Sequence, residues 1–337
     1  MTTVPQSLPP AESAPMLQEL APDQNAFRSA SHNLLSLFSD YAQLMKVRVT
    51  SLVMMSAWCG FYLAAVKSGV SSVSWELVNA LLGIGMVAGG TAALNQVMER
   101  DLDARMRRTD RRPLPAGRMS VRHAATFGIV VTLAGLAYLA LAANLLTALL
   151  ALATSAVYLC AYTPLKRVSP VCTFIGAFPG AMPPVLGWTA LRGHSLNALG
   201  WEPLALFAIV FVWQFPHFHS IAWLYREDYE RAGIRMLPVV QDDGRSTVRE
   251  IIAYSLLLIP VSMAPVWLHM SGRIYLVGAF VLSAMFYWSG QRLASLKLAP
   301  VAAQSKARAR QVLQASVFYL PLLFALLMLN AQSSVSK

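Results

Sequence analysis

NQVMERDLDARMRRTDRRPLPAGR, residues 95–118, interrupts a chain whose other long stretches are mostly compatible with lipid. It places Glu99, Asp101, Asp103 and Asp110 among eight arginines, counting on to Arg122. On a helix Asn95, Glu99 and Asp103 recur every four residues and climb one face, drifting about 40° per step. Asp101 points elsewhere. Three oxygen-bearing side chains on one face suit a hard cation such as magnesium, which takes one or two protein carboxylates and fills its shell with water and phosphate oxygens. Neutralisation of nearby arginines at a helix end is the plainer reading of the acids, and the four-residue spacing weighs against it.

Outward from that stretch the chain is apolar. Of its 337 residues 56% are hydrophobic and only 13% are charged, against about a quarter charged in soluble domains. An all-α integral membrane protein is expected. The formal net charge of +11 sits in short connections between apolar runs and forms no basic stripe, which excludes nucleic acid as a partner. Cys59, Cys160 and Cys172 lie within apolar segments at no metal-ligand spacing and read as packing residues.

Segments long enough to span a bilayer are read at 48–66, 77–98, 121–142, 145–162, 171–191, 203–223, 251–269, 273–291 and 311–330. With the N-terminus inside, cytoplasmic connections gather 23 of the 27 lysines and arginines, leaving Lys67, Arg192, Arg273 and Lys337 outside. The positive-inside rule therefore puts the 95–118 stretch in the cytoplasm and the C-terminus outside. Residues 1–40, rich in Pro, Ser, Ala and Gln, read as a disordered tail ahead of a membrane domain at 41–330. That tail lacks the features of a secretory signal and is too acidic for a mitochondrial transit peptide, which favours a bacterial inner membrane.

A second acidic cluster lies at 227–250, four helices after the first. Each leads into a similar phrase, Arg112-Pro113-Leu114-Pro115 and Arg235-Met236-Leu237-Pro238. Two related halves with a site at their interface would give that pattern. Within the second cluster Asp228 is singled out for function, and Glu227 and Glu230 read as a solvated loop. Among the surplus arginines, Arg112 and Arg118, with Lys166 of YTPLKR, are assigned to a phosphate because each sits beside a turn-forming Pro or Gly. The others serve topology and lipid headgroups. Segment five, IGAFPGAMPPVLGWTA, should bend; it either lines a pocket or packs closely through small residues. His217 and His219 in WQFPHFHSIAWLYREDY face different ways, amid aromatic residues suited to a flat or cationic ligand or to an interfacial belt.

These residues resemble the intramembrane prenyltransferases of the UbiA superfamily. Asn95 with acids at 99 and 103 is similar to that superfamily's first aspartate-rich motif. NQVMERDLDARMRRTDRRPLPAGR, YTPLKR, PGAMPPVLGW, HFHSIAWLYREDY and RAGIRMLPVV, taken in order over roughly residues 40–330, resemble the branch that farnesylates protoheme IX. The resemblance implies a UbiA-like bundle of nine helices. It also implies transfer of farnesyl from farnesyl diphosphate to a vinyl group of heme B, giving heme O and diphosphate, with the product passing to heme A synthase. Carried over residue by residue, it implies Mg2+ on Asn95, Glu99 and Asp103, diphosphate contacts from Arg112, Arg118 and Lys166, and catalytic parts for Lys166, His217 and Asp228. Two departures matter: position 99 is Glu where Asp is common, and the second motif lacks aspartates four residues apart, which puts a second metal in doubt. Prenylation of an aromatic quinone precursor is the nearest alternative, and an organic-phosphate transporter is an alternative from another class.

Overall fold

The computed structural model describes residues 36–194, 198–296 and 300–332. Most of the disordered tail assigned from the sequence lies outside the described residues; its last part, residues 36–40, is helical. Among the described residues nine helices are long and apolar enough to cross a membrane. They are α1 Val47–Ser68, α2 Trp75–Asp103, α3 Val121–Ala142, α4 Leu145–Leu165, α5 Cys172–Arg192, α6 Trp201–Leu224, α7 Arg245–Trp267, α8 Arg273–Ala294 and α9 Ala303–Leu329. The chain is a multi-pass, all-helical membrane protein, and each span overlaps the segment read from sequence. The largest differences lie at one end of the bundle: α2 continues five residues past the apolar run, and α7 and α9 start six and eight residues earlier than expected. Helical hydrogen bonding does not stop where hydrophobicity does, so the polar residues continue the helices beyond the lipid-compatible stretch.

Sequential helices pack as neighbours, and α9 closes back onto α6. At the end where α2 and α6 finish, called here the polar end, the connections are long and charged. At the other end Trp75, Trp201 and Trp267 are 79%, 71% and 64% exposed, as expected for indoles seated at a membrane interface. Leu102 in the last turn of α2 and Met106 just after it pack with Ala222, Tyr229, Ala232 and Ile234 around the end of α6. This small apolar cluster ties the two charged connections together.

α5 breaks at Met182, between Cys172–Ala181 and Pro183–Arg192. Pro183 and Pro184 supply no amide hydrogens to the preceding turn, which is a sufficient cause. Both readings of this segment describe it. Its first half presents Gly176, Pro179 and Gly180 to an internal cavity, while its second half lies tightly on α1. A Cβ on Gly187 would stand 1.8 Å from the Ala57 carbonyl oxygen, and one on Gly60 would stand 1.9 Å from that of Pro184. Only glycine permits that approach, the usual route to close packing where lipid offers no hydrophobic drive.

Candidate active site

The final turns of α2 carry Asn95, Glu99 and Asp103, all buried, on one face. Each is met by one cation. Lys46 Nζ donates to Asn95 Oδ1 at 2.7 Å, Lys166 Nζ to Glu99 Oε1 at 2.6 Å, and Arg112 Nη1 to Asp103 Oδ2 at 2.7 Å. Buried charges persist only when paired and hydrogen-bonded, and this ladder satisfies that condition rung by rung. Asp101 faces away, exposed, and pairs with Arg100.

Each cation arrives from a different element. Lys46 immediately precedes α1 with φ 49° and ψ 51°, a left-handed conformation uncommon outside glycine. Gln96 on α2 donates to the carbonyls of Gln43 and Leu44 at 2.8 and 2.9 Å and so anchors that segment. Burial, then the neighbouring Arg112 guanidinium, lower the Lys46 ammonium to about 7 against the pull of Glu99. Lys166 behaves oppositely: burial depresses it, but the Glu99 carboxylate overcomes this and holds it above the ordinary lysine value.

The route to Lys166 passes through an irregularity in α4, whose residues Val157–Tyr162 adopt a π-helical turn. Such wide turns reaim side chains and recur at functional sites. Thr163 next to it donates to the Tyr158 carbonyl at 2.8 Å and accepts from Asn95 Nδ2 at 3.0 Å, and Lys166 Nζ lies 4.4 Å from the Tyr162 ring centroid. The Lys166 carbonyl accepts from the Arg235 amide at 2.8 Å. Arg112 comes from the loop after α2, which folds back so that Thr109 Oγ1 donates to the Asp103 carbonyl at 2.9 Å.

Glu99, Asp103 and the three cations line the mouth of a cavity of about 520 Å³. It runs along α2 as far as Ile84, roughly 22 Å below Glu99 at 1.5 Å per residue. Apolar side chains, the broken part of α5, Gln214 and the aromatic stretch of α6 form its walls. Among the lining residues Val49 and Leu52 of α1 and Val317 of α9 are exposed, so the cavity reaches the lipid-facing surface between those helices.

Of the residues singled out from sequence, Glu99, Asp103, Arg112, Lys166 and His217 line this one cavity. Asn95 lies directly behind, bonded to Lys46. Arg118 is exposed outside the lining, with Nη1 donating to the Arg111 carbonyl at 3.1 Å. Asp228 is buried on the short helix Arg226–Ala232, paired with Arg231 at 3.0 Å, and does not line the cavity, although its neighbour Tyr229 does. His219 turns from the cavity to Glu250, 2.6 Å away. The two matched phrases each give the lining one residue, Arg112 and Met236.

Sequence reasoning assigned Lys46 and Arg108 to topology, yet both line the cavity. Arg108 lies over the rings of Tyr225 and Tyr229 at 5.1 and 5.0 Å and donates to Tyr229 Oη at 2.9 Å. Nothing in spacing marks it among eight arginines. Lys46 had a weak signal, as a cation immediately before the first span.

The Glu99 and Asp103 carboxylates that line the cavity, with the Asn95 amide oxygen behind them on the same helix face, are hard donors that fit magnesium. Among the described residues no three His, Cys, Asp or Glu side chains converge into a cation cage. Four cations around two carboxylates leave the mouth electropositive, suited to a polyphosphate head whose apolar tail lies in the cavity.

Residues 53–311 match the model of the UbiA prenyltransferase family. A protoheme IX farnesyltransferase from Koribacter versatilis is 60% identical over 295 residues, covering 88% of this chain and 94% of the relative. Among solved structures, a digeranylgeranylglyceryl phosphate synthase aligns with TM-score 0.69 at 16% identity, over 87% of this chain and 98% of that one. A UbiA homolog from Archaeoglobus fulgidus bound to GPP and Mg2+ aligns with TM-score 0.60 at 19% identity, over 86% and 99%. By fold, by the family model and by an identity that extends over most of both chains, this chain belongs to the UbiA prenyltransferase family.

Proposed function

We propose that the chain transfers the farnesyl group of farnesyl diphosphate to a vinyl group of heme B, forming heme O and releasing diphosphate. The observation that carries this reading is the ladder of paired acids and cations at the mouth of a deep apolar cavity, in a chain 60% identical to a protoheme IX farnesyltransferase. Lys166, Arg112, Arg108 and Lys46 bind the diphosphate, and the cavity takes the farnesyl tail. As the C1–O bond breaks, the electron pair leaves with diphosphate, and these fixed cations stabilise the charge that develops there. Asn95, Glu99 and Asp103 would hold magnesium, which would supply neutralisation of the diphosphate oxygens. The Tyr158 and Tyr162 rings flank the mouth, where aromatic faces stabilise an allylic cation by about 0.5–2 kcal/mol each. The terminal vinyl carbon then bonds to farnesyl C1. The cation left on the carbon next to the porphyrin takes water and loses a proton, giving a hydroxyethylfarnesyl side chain.

The wider assignments from sequence fit this reading. The distribution of basic residues supports a cytoplasmic polar end and the composition of the N-terminal tail supports a bacterial inner membrane, an arrangement that would give the site access to soluble farnesyl diphosphate. The lipophilic product stays in the bilayer, available to heme A synthase. A competition experiment separates the nearest alternative: offered heme B and a hydroxybenzoate together with farnesyl diphosphate and magnesium, the purified protein should farnesylate heme alone. A farnesylated benzoate with unmodified heme would reassign it to quinone-precursor chemistry.

A further inference from the structure

His217 has a hydrogen-bond arrangement that favours one tautomer. Ser316 Oγ donates its single proton to the Leu313 carbonyl, 2.6 Å away in its own helix. With that proton committed, Ser316 Oγ can only accept from His217 Nδ1, 2.8 Å away. The neutral ring therefore carries its hydrogen on Nδ1 and keeps a lone pair on Nε2. Trp213 stacks on the imidazole with centroids 4.7 Å apart at 21°, and its Nε1 donates to the Ser316 carbonyl at 2.9 Å, fixing ring and partner together.

A metal-ligating histidine has this form: one ring nitrogen donates to a second group, which sets the tautomer and the ring orientation, and the other is free to coordinate. The surroundings favour coordination over proton transfer. A base must pass through imidazolium, yet the ring lies against Trp213 and Phe218 in the cavity wall. Its bonded partner there is a neutral hydroxyl, with no carboxylate to receive the charge. One imidazole by itself would not retain a free ion. It does suffice for a metal that brings four equatorial ligands of its own.

We propose that His217 Nε2 is an axial ligand to the iron of the heme acceptor, seated in the part of the cavity walled by α6 and α9. This rests on the reading that heme B is a substrate, and it identifies which side chain orients the porphyrin.

The test uses the full-length protein in lipid nanodiscs with heme B and no farnesyl diphosphate, followed by visible absorption and electron paramagnetic resonance. Wild type should give a histidine-ligated spectrum and bind heme B at least about tenfold more tightly than metal-free protoporphyrin IX. His217→Ala should lose that spectrum and that preference while its affinity for metal-free protoporphyrin IX stays unchanged. Added imidazole should restore the ligated spectrum in His217→Gly. Ser316→Ala should weaken heme binding about tenfold, as loss of a ligand's supporting partner does. Equal wild-type affinity for heme and metal-free porphyrin would overturn the proposal without reliance on any variant, as would a wild-type spectrum in His217→Ala. Heme O formation, assayed separately on wild type, distinguishes this outcome from failure of the activity reading.

Discussion

Lys166 Nζ and Glu99 Oε1, from helices 67 positions apart in sequence, meet at 2.6 Å with both side chains nearly excluded from solvent. The pair joins the metal-binding face proposed for α2 to a cation delivered by the π turn of α4. Truncating the lysine removes a proposed diphosphate contact and leaves a buried carboxylate without its nearest counter-charge. Lys166→Ala should lower the rate of heme O formation by about two orders of magnitude, with Lys166→Arg keeping part of it. A steady-state assay on protein that still elutes as a single species checks this.

Asp103 pairs with Arg112, and the role proposed for it is oxygen ligation, not packing. Asp103→Ala should nearly abolish turnover while the protein stays folded and inserted, and chelation of magnesium should do the same to wild type. Circular dichroism alongside turnover separates loss of function from loss of fold.

Lys46 offers a cleaner substitution. Glycine at a left-handed position relieves backbone strain, so Lys46→Gly removes the ammonium without distorting the chain. Farnesyl diphosphate should bind on the order of tenfold more weakly; isothermal titration with a non-reacting thio analogue measures the affinity.

Arg112 and Arg118 carry the same guanidinium, but only Arg112 lines the cavity. The loss on Arg112→Ala should exceed that on Arg118→Ala by at least about tenfold in kcat/KM. Comparable losses would bring Arg118 into the diphosphate site.

Gly187→Ala places a methyl group against the Ala57 carbonyl across the α1–α5 contact. Because the obstacle is backbone, no side chain can yield, and a destabilisation on the order of 3 kcal/mol is expected. Thermal unfolding in detergent should fall with it.

Much of this was legible in the sequence because membrane burial imposes strong patterns. Nine apolar runs give nine membrane-length helices among the described residues, and the four-residue spacing of Asn95, Glu99 and Asp103 holds because α2 stays helical past its apolar part. The prolines and glycines of 176–187 foretell the break at Met182 because missing amide hydrogens and a missing Cβ act locally. What could not be read depends on tertiary placement. Lys46 enters the site only through a left-handed backbone angle held by Gln96. Arg108 is set apart from its neighbours only by two tyrosines more than a hundred residues later. The π turn that aims Tyr158 and Tyr162 has no signature in VYLCAY. Asp228 shows the converse: an acid in a suggestive phrase whose side chain pairs with Arg231, with Tyr229 beside it taking the place in the wall.

The central claim is chemical, and one assay addresses it directly. Purified wild-type protein incubated with heme B, farnesyl diphosphate and magnesium, with products resolved by mass-detected chromatography, should yield heme O and one diphosphate per heme consumed, and Asp103→Ala run beside it should yield none. Unmodified heme B from the folded, magnesium-supplied wild type would contradict the account.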